Sequence, residues 1–140
     1  MTSQLAFETK IAIIVRDDLA TWQKLNLTAF LASGVTHLAP EAVGDPYEDA
    51  DGTKYAPLLG QPVMVFAADR AGLTRGLNQA LSRGIVPAVY TEELFATGND
   101  VDNRAAVAAV AQAELNLVGI AVRGPRRDVD KITKGLALHR

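Results

Sequence analysis

Few residues in this chain are placed to do chemistry, and most follow short apolar runs. Arg16, Asp17 and Asp18 end the run Ile11–Val15, while Thr91, Glu92 and Glu93 follow the run Ile85–Tyr90. In an alternating α/β chain, ligands sit beyond the carboxyl ends of parallel strands, which makes these two triplets the natural site. Lys24 and Thr28 are four apart, so on a helix they share one face and could reach the same rim. Cations beside carboxylates shift one another's pKa values and can orient a water. If the protein is an enzyme, the catalytic set is then Lys24, polarising a carbonyl, with Asp18 or Glu92 activating water. Arg16, Asp17, Thr28 and Thr91 are the candidate ligand-binding residues of the rim. Tyr47, in a long loop with Asp49 and Tyr55, is expected to close over it. Each of these groups also has a plain structural use, since Arg16 and Lys24 can pair with acids and Thr21 can cap a helix.

Other chemistries lack their residues. There is no cysteine, hence no disulfide, thiol nucleophile or thiolate zinc site. Neither a Gly-x-x-x-x-Gly-Lys-Ser/Thr loop nor a Gly-x-Gly-x-x-Gly turn occurs. None of Ser3, Ser33 and Ser82 sits in a Gly-x-Ser-x-Gly elbow, and His37 stands without a serine partner. The acidic stretch Asp49-Ala50-Asp51-Gly52 fails a calcium loop at its first position, Tyr47, and its twelfth, Leu58. No metal and no cofactor are expected.

The elements that must position the rim follow from periodicity. Lys10–Arg16 and Val63–Ala68 are continuous apolar runs, as in strands covered on both faces. Between them, Thr21 is expected to cap a mostly buried helix in which Trp22, Leu25, Ala29 and Ala32 recur on one face, Leu27 and Leu31 extend the apolar surface round the side, and Gly34 is the stop. Residues 35–62 are punctuated by Pro and Gly and are too long for an idle connection, so short helical or strand pieces are expected there. Asp69 caps a second helix carrying Leu73, Leu77 and Leu81 and ending at Gly84. Ile85–Tyr90 contains Pro87 and reads as an edge or bulged strand. A third helix is expected from Asp102 or Asn103 to about Leu115, then a fourth strand, Leu117–Val122. Asp128–Lys134 gives one helical turn, and Leu136–Leu138 a last extended piece. The alternation predicts a single α/β domain over 1–140: a three-layer α/β/α sandwich around an about four-stranded, mixed or largely parallel sheet.

Composition narrows the partners. With 49% hydrophobic and 21% charged residues the chain is a folded globule rather than a disordered one. Its apolar runs are far shorter than the ~20 residues of a membrane span. The N-terminus, residues 1–10, shows neither a basic leader nor an apolar h-region, so a cytoplasmic location with no membrane contact is expected. Fourteen basic residues against 16 acidic ones leave no positive excess, which disfavours tRNA as a partner. Charge is nonetheless clustered: residues 41–54 are acidic, whereas Arg123, Arg126, Arg127, Lys131 and Lys134 make the tail basic.

The segment Val15-Arg16, Asp18-Leu19 with Lys24 nearby, and the tail Gly124-Pro125, Asp130-Lys131-Ile132-Thr133 and Leu136-x-Leu138, resemble type-2 peptidyl-tRNA hydrolases. That resemblance implies their fold and places Lys24 near the family's catalytic lysine. The chain departs from the family at the turn before the first helix, which reads Ala20-Thr21-Trp22-Gln23-Lys24 in place of Met-Gly-Lys-Gly-Lys. It departs again after the third strand, where Tyr90-Thr91-Glu92-Glu93 replaces the Asp-Ala-Gly-x-Thr that supplies the catalytic aspartate. A fuller match is domain-of-unknown-function family 2000, an uncharacterised branch of the same superfamily. The chain is similar to it in Val15–Leu19, in Trp22, Asn26 and Thr28-Ala29-Phe30, in Asp45–Gly52, and from Tyr90-Thr91-Glu92-Glu93 to Asn103-Arg104. The resemblance adds Asn103 and Arg104 to the ligand-binding set.

Together these features imply a peptidyl-tRNA hydrolase-like domain that binds a small molecule or protein partner at the sheet's carboxyl edge, its catalytic motif degraded. The alternative is a divergent hydrolase of peptidyl-tRNA or of a small ester or amide, using Lys24 and an acidic residue. A third reading is a pure interaction module that works as a homo-oligomer, a homodimer being one form.

Overall fold

A computed structural model describes residues 7–140; residues 1–6, on which part of the leader reading rests, lie outside the described residues. β1 (Thr9–Arg16) is the central strand, and its alternation sorts the core into two. Ile11, Ile13 and Val15 pack with Leu27, Leu31 and Val35 of α1 (Thr21–Leu38). Ala12 and Ile14 pack with Leu73 and Leu77 of α2 (Arg70–Ser82) and with Val129 and Ile132 of α4 (Arg126–Ile132). A strand with partners on both faces must be apolar at every position, which is why its interior reads as one unbroken run.

Among the described residues the main sheet has five strands, one more than expected, in the order β5 (Ala88–Thr91), β6 (Leu117–Pro125), β1, β4 (Val63–Ala68), β7 (Ala137–Leu138). Only β1 and β4 pair in parallel; β6 runs antiparallel to both β1 and β5, and β7 antiparallel to β4. The sheet is therefore mixed rather than largely parallel. β5 is an edge strand beginning just after Pro87, whose missing N–H keeps it out of the ladder. Within residues 35–62 lie a 3-10 turn, Pro40–Ala42, and a two-stranded hairpin, β2 (Tyr47–Glu48) and β3 (Lys54–Tyr55).

Three helices differ from expectation, α4 by running over Arg126–Ile132 where the sequence predicts one turn over Asp128–Lys134. α1 runs past Gly34 to Leu38, and its N-cap is Ala20, whose N–H donates to Gln23 Oε1 at 3.0 Å. It also buries another face: Leu27 is fully buried, while Trp22 and Leu25 are 60% and 69% exposed. The helix carries two apolar stripes, and the sheet covers the one bearing Leu27, Leu31 and Val35. Gly119 on β6 is what admits it, because a Cβ there would lie 2.6 Å from Leu27 Cδ1 and 2.9 Å from Leu31 Cδ1. α3 spans Asp100–Ala108, starting and ending earlier than expected. Asn99 is its N-cap, accepting from the Asp102 N–H at 2.8 Å, and a 3-10 turn at Gln112–Glu114 fills the remainder. The Asp69 cap on α2 is as expected, accepting from the Gly72 N–H at 2.8 Å. Among the described residues no helix is long and apolar enough to cross a membrane.

Candidate functional site

The carboxyl ends of β1, β4 and β5 lie along one edge of the sheet, and antiparallel β6 starts there. This topology brings Arg16, Glu92 and Asn116 together from three distant stretches of chain. Arg16 Nε donates to Asp18 Oδ1 at 2.6 Å, Nη2 to Glu92 Oε1 at 2.9 Å, and Nη1 to Asn116 Oδ1 at 3.4 Å. Asn116 Nδ2 donates onward to Glu92 Oε2 at 3.3 Å, which closes a ring. The backbone repeats the link, with the Glu92 N–H donating to the Asn116 carbonyl at 3.0 Å. The Arg16 side chain is only 14% exposed. Burial alone would lower its pKa, but the hydrogen bonds and charges of Asp18 and Glu92 outweigh burial and hold it above the ordinary arginine value. Arg16 is a permanently charged clasp.

Around this ring lies an open cleft of about 370 Å³. Asp17 and Asp18 form one wall, Asp69 and Arg70 at the start of α2 another, and Glu92 and Asn116 the third. The Asp17 N–H donates to the Ala68 carbonyl at 3.1 Å, which ties the turn after β1 to the end of β4. Among the described residues the Asp17 carboxylate and the Arg70 guanidinium have no side-chain partner, and both are exposed. Glu92 is carried by a 3-10 turn, Glu92–Ala96, that aromatic contacts fasten to α1. Phe95 meets Trp22 edge-on at 5.6 Å and Tyr90 at 5.1 Å, and Tyr90 meets Phe30 at 5.8 Å.

Of the residues singled out from sequence, the cleft gathers Arg16, Asp17, Asp18 and Glu92. Thr91 is buried at the end of β5, beside a register shift in its pairing with β6. Lys24 and Thr28 lie on α1 outside the lining, and the Thr28 hydroxyl is spent on the Lys24 carbonyl. Lys24 makes no ion pair among the described residues. Asn103 and Arg104 line a separate groove between α1, β5 and α3; Asn103 meets the Thr97 hydroxyl and Arg104 pairs with Asp100 one turn back. Tyr47 is exposed in the hairpin, opposite Tyr55. The segment that carries the hairpin is anchored at the other end of the sheet, where it leaves α1 and feeds the start of β4. Gln61 Nε2 donates to the Thr9 carbonyl at 3.0 Å, and Arg123 pairs with Glu41 at 3.3 Å.

Asn116, Asp69 and Arg70 were missed. Asp69 and Arg70 could have been found as the cap and first residue of the helix after a strand parallel to β1. Asn116 depends on the direction of β6, for which the sequence carries no signal. Among the described residues no group of three or more His, Asp or Glu is placed to hold a metal ion.

A family model described as a protein of unknown function, DUF2000, matches residues 9–140. A solved structure of a protein of unknown function from Agrobacterium tumefaciens is 47% identical over 96% of this chain and 100% of its own, with a TM-score of 0.93. No curated protein matches the chain.

Proposed function

The chain belongs to the DUF2000 family of proteins of unknown function, and from that premise we propose that it is a binding domain for a small polar molecule held at the carboxyl rim. One observation carries this reading: the carboxylates of Asp18 and Glu92, the two that could activate water, are both engaged by Arg16. Arg16 holds Asp18 Oδ1 and Glu92 Oε1 and Asn116 holds Glu92 Oε2, so of these oxygens Asp18 Oδ2 alone keeps no partner among the described residues, and a carbonyl-polarising lysine must reach the same space. Lys24 does not line that space. The side chains of the cleft with no partner at all among the described residues are the Asp17 carboxylate and the Arg70 guanidinium, a pair that suits a ligand bearing both an ammonium and an acidic group. Helices against both faces of the sheet support a three-layer α/β/α reading and the type-2 peptidyl-tRNA hydrolase-like ancestry, with the hydrolytic set dismantled. A cytoplasmic location accords with it.

The test has two arms. Free amino acids are titrated into labelled protein, where binding should move the Asp17 and Arg70 amides and weaken in Asp17→Asn and Arg70→Ala. In parallel, N-blocked aminoacyl-tRNA is offered to the wild type and to Lys24→Ala and Asp18→Ala. Turnover lost in both variants would make the protein a divergent hydrolase and overturn the binding reading.

A further inference from the structure

At the end of the sheet opposite the rim, a cavity of about 370 Å³ opens between the end of α1, the turn after α2 and the last residues of β6. It is more enclosed than the rim cleft, and its volume lies within the ~300–1,000 Å³ of small-molecule sites. Its floor is apolar, made by Val35, Ile85 and Ala121, all buried. Val86 stands at its mouth, 70% exposed.

Two arginines, Arg83 and Arg123, line the same cavity, and both are held in the same way. Arg83 donates through Nε to Gln79 Oε1 at 3.3 Å and through Nη1 to Asp128 Oδ1 at 2.9 Å. Arg123 donates through Nε to Gln61 Oε1 at 3.2 Å and through Nη1 to Glu41 Oε2 at 3.3 Å. Among the described residues neither Nη2 has an acceptor. Each arginine is thus fixed by two bonds and keeps a pair of donors in hand. Both side chains are largely shielded, so a charge-assisted bond made there is screened less than one at the surface. Among the described residues Asp128 is the one carboxylate in the lining, where it pairs with Arg83, and Arg123 pairs with Glu41 outside it.

We propose that this cavity is a second binding site, one that takes a small carboxylate with an apolar body. The acid would accept from the free Nη2 donors of Arg83 and Arg123, and the body would cover Val35, Ile85 and Val86. A bare inorganic anion would leave the floor unused, and a neutral apolar molecule would leave the donors unused. The site shares no lining residue with the rim, so it stands whether or not the rim binds anything.

Titration of the labelled 140-residue chain with hexanoate, and with hexanamide as its neutral counterpart, tests this through amide shifts. The expected result is saturable movement at Gly84, Ile85 and Gly124 with a Kd on the order of 1 mM, the range open to so small a ligand. Hexanamide should bind at least about tenfold more weakly, and Arg83→Gln and Arg123→Gln should each cost hexanoate about tenfold. Both arginines also hold structural partners, so Val86→Asp, at an exposed position, adds a repelling carboxylate at the mouth without touching the core; it too should weaken hexanoate. Equal binding of acid and amide, shifts confined to the rim, or no shift at about ten times the expected Kd would overturn the proposal.

Discussion

Arg16 and Glu92 are 76 residues apart in the chain, yet Arg16 Nη2 and Glu92 Oε1 lie 2.9 Å apart. The pair joins the end of the central strand to the turn that follows the edge strand, two places that share no ladder because β6 lies between them. Asn116 at the start of β6 bridges the same two residues, so the rim is laced across three strands.

That lacing predicts a measurable but modest coupling. Glu92 is half exposed, so its pair with Arg16 is discounted for solvent. Glu92→Ala should cost about 1 kcal/mol in urea unfolding. In a double-mutant cycle with Arg16→Met the coupling should be about 0.5–1 kcal/mol. Strictly additive losses would mean that the ring does not hold in solution.

The face that α1 presents to the sheet gives a sharper test. Leu27 is fully buried and Leu25 is mostly exposed, though they are only two positions apart. Leu27→Ala should destabilise by about 2–5 kcal/mol, whereas Leu25→Ala should stay within about 0.5 kcal/mol. The reverse order in denaturant midpoints would place the helix a fraction of a turn away.

This helix also shows how far the sequence could be read. Strands whose residues are all apolar announce themselves, and β1 and β4 were legible nearly to the residue. So were the Asp69 cap and the edge character of the strand after Pro87, because each rests on local backbone chemistry. α1 was legible as a helix but not in its orientation. Trp22, Leu25, Ala29 and Ala32 form one apolar stripe and Leu27, Leu31 and Val35 another, and periodicity cannot choose between two stripes. The choice is made by Gly119, some 90 residues further along, where a missing side chain lets Leu27 and Leu31 in. The site was legible by half for the same reason. Arg16, Asp17, Asp18 and Glu92 follow from the rule about strand ends, while Asn116 and the absence of Tyr47 from the cleft lining depend on strand direction and order.

If Gly119 sets that choice, filling it should hurt. Gly119→Ala would push a methyl group against Leu27 Cδ1, Leu31 Cδ1 and the Ile14 carbonyl at 3.3 Å or less. Overpacking of this kind costs about 1–3 kcal/mol. Gly98→Ala, where no atom lies within 4 Å of the new Cβ, is the control and should leave the unfolding midpoint in place. An equal effect at the two positions would contradict the close approach of α1 to β6.

The hairpin carries a pH signature of its own. Tyr55 donates its hydroxyl to Asp49 Oδ2 at 2.7 Å, and the backbone N–H groups of Asp51 and Thr53 donate to Oδ1 at 2.9 and 3.0 Å. The Tyr55 hydroxyl first, and the Thr53 N–H next, hold the Asp49 carboxyl below the ordinary carboxylate value. The same bond holds the Tyr55 hydroxyl above the ordinary phenol value. A lowered carboxyl favours the folded hairpin at pH above its unfolded value, about 3.9, and that advantage disappears as pH falls through the lower folded value. A raised phenol works in the opposite sense. Its contribution is full below the unfolded value, about 10, and is lost as pH rises through the folded one. Tyr55→Phe should therefore move the Asp49 titration, followed by carboxyl carbon shifts, upward toward the ordinary value without reaching it, because the two backbone donors remain. An Asp49 titration that does not move in Tyr55→Phe would show that the backbone alone sets it and that the hydroxyl bond is absent in solution.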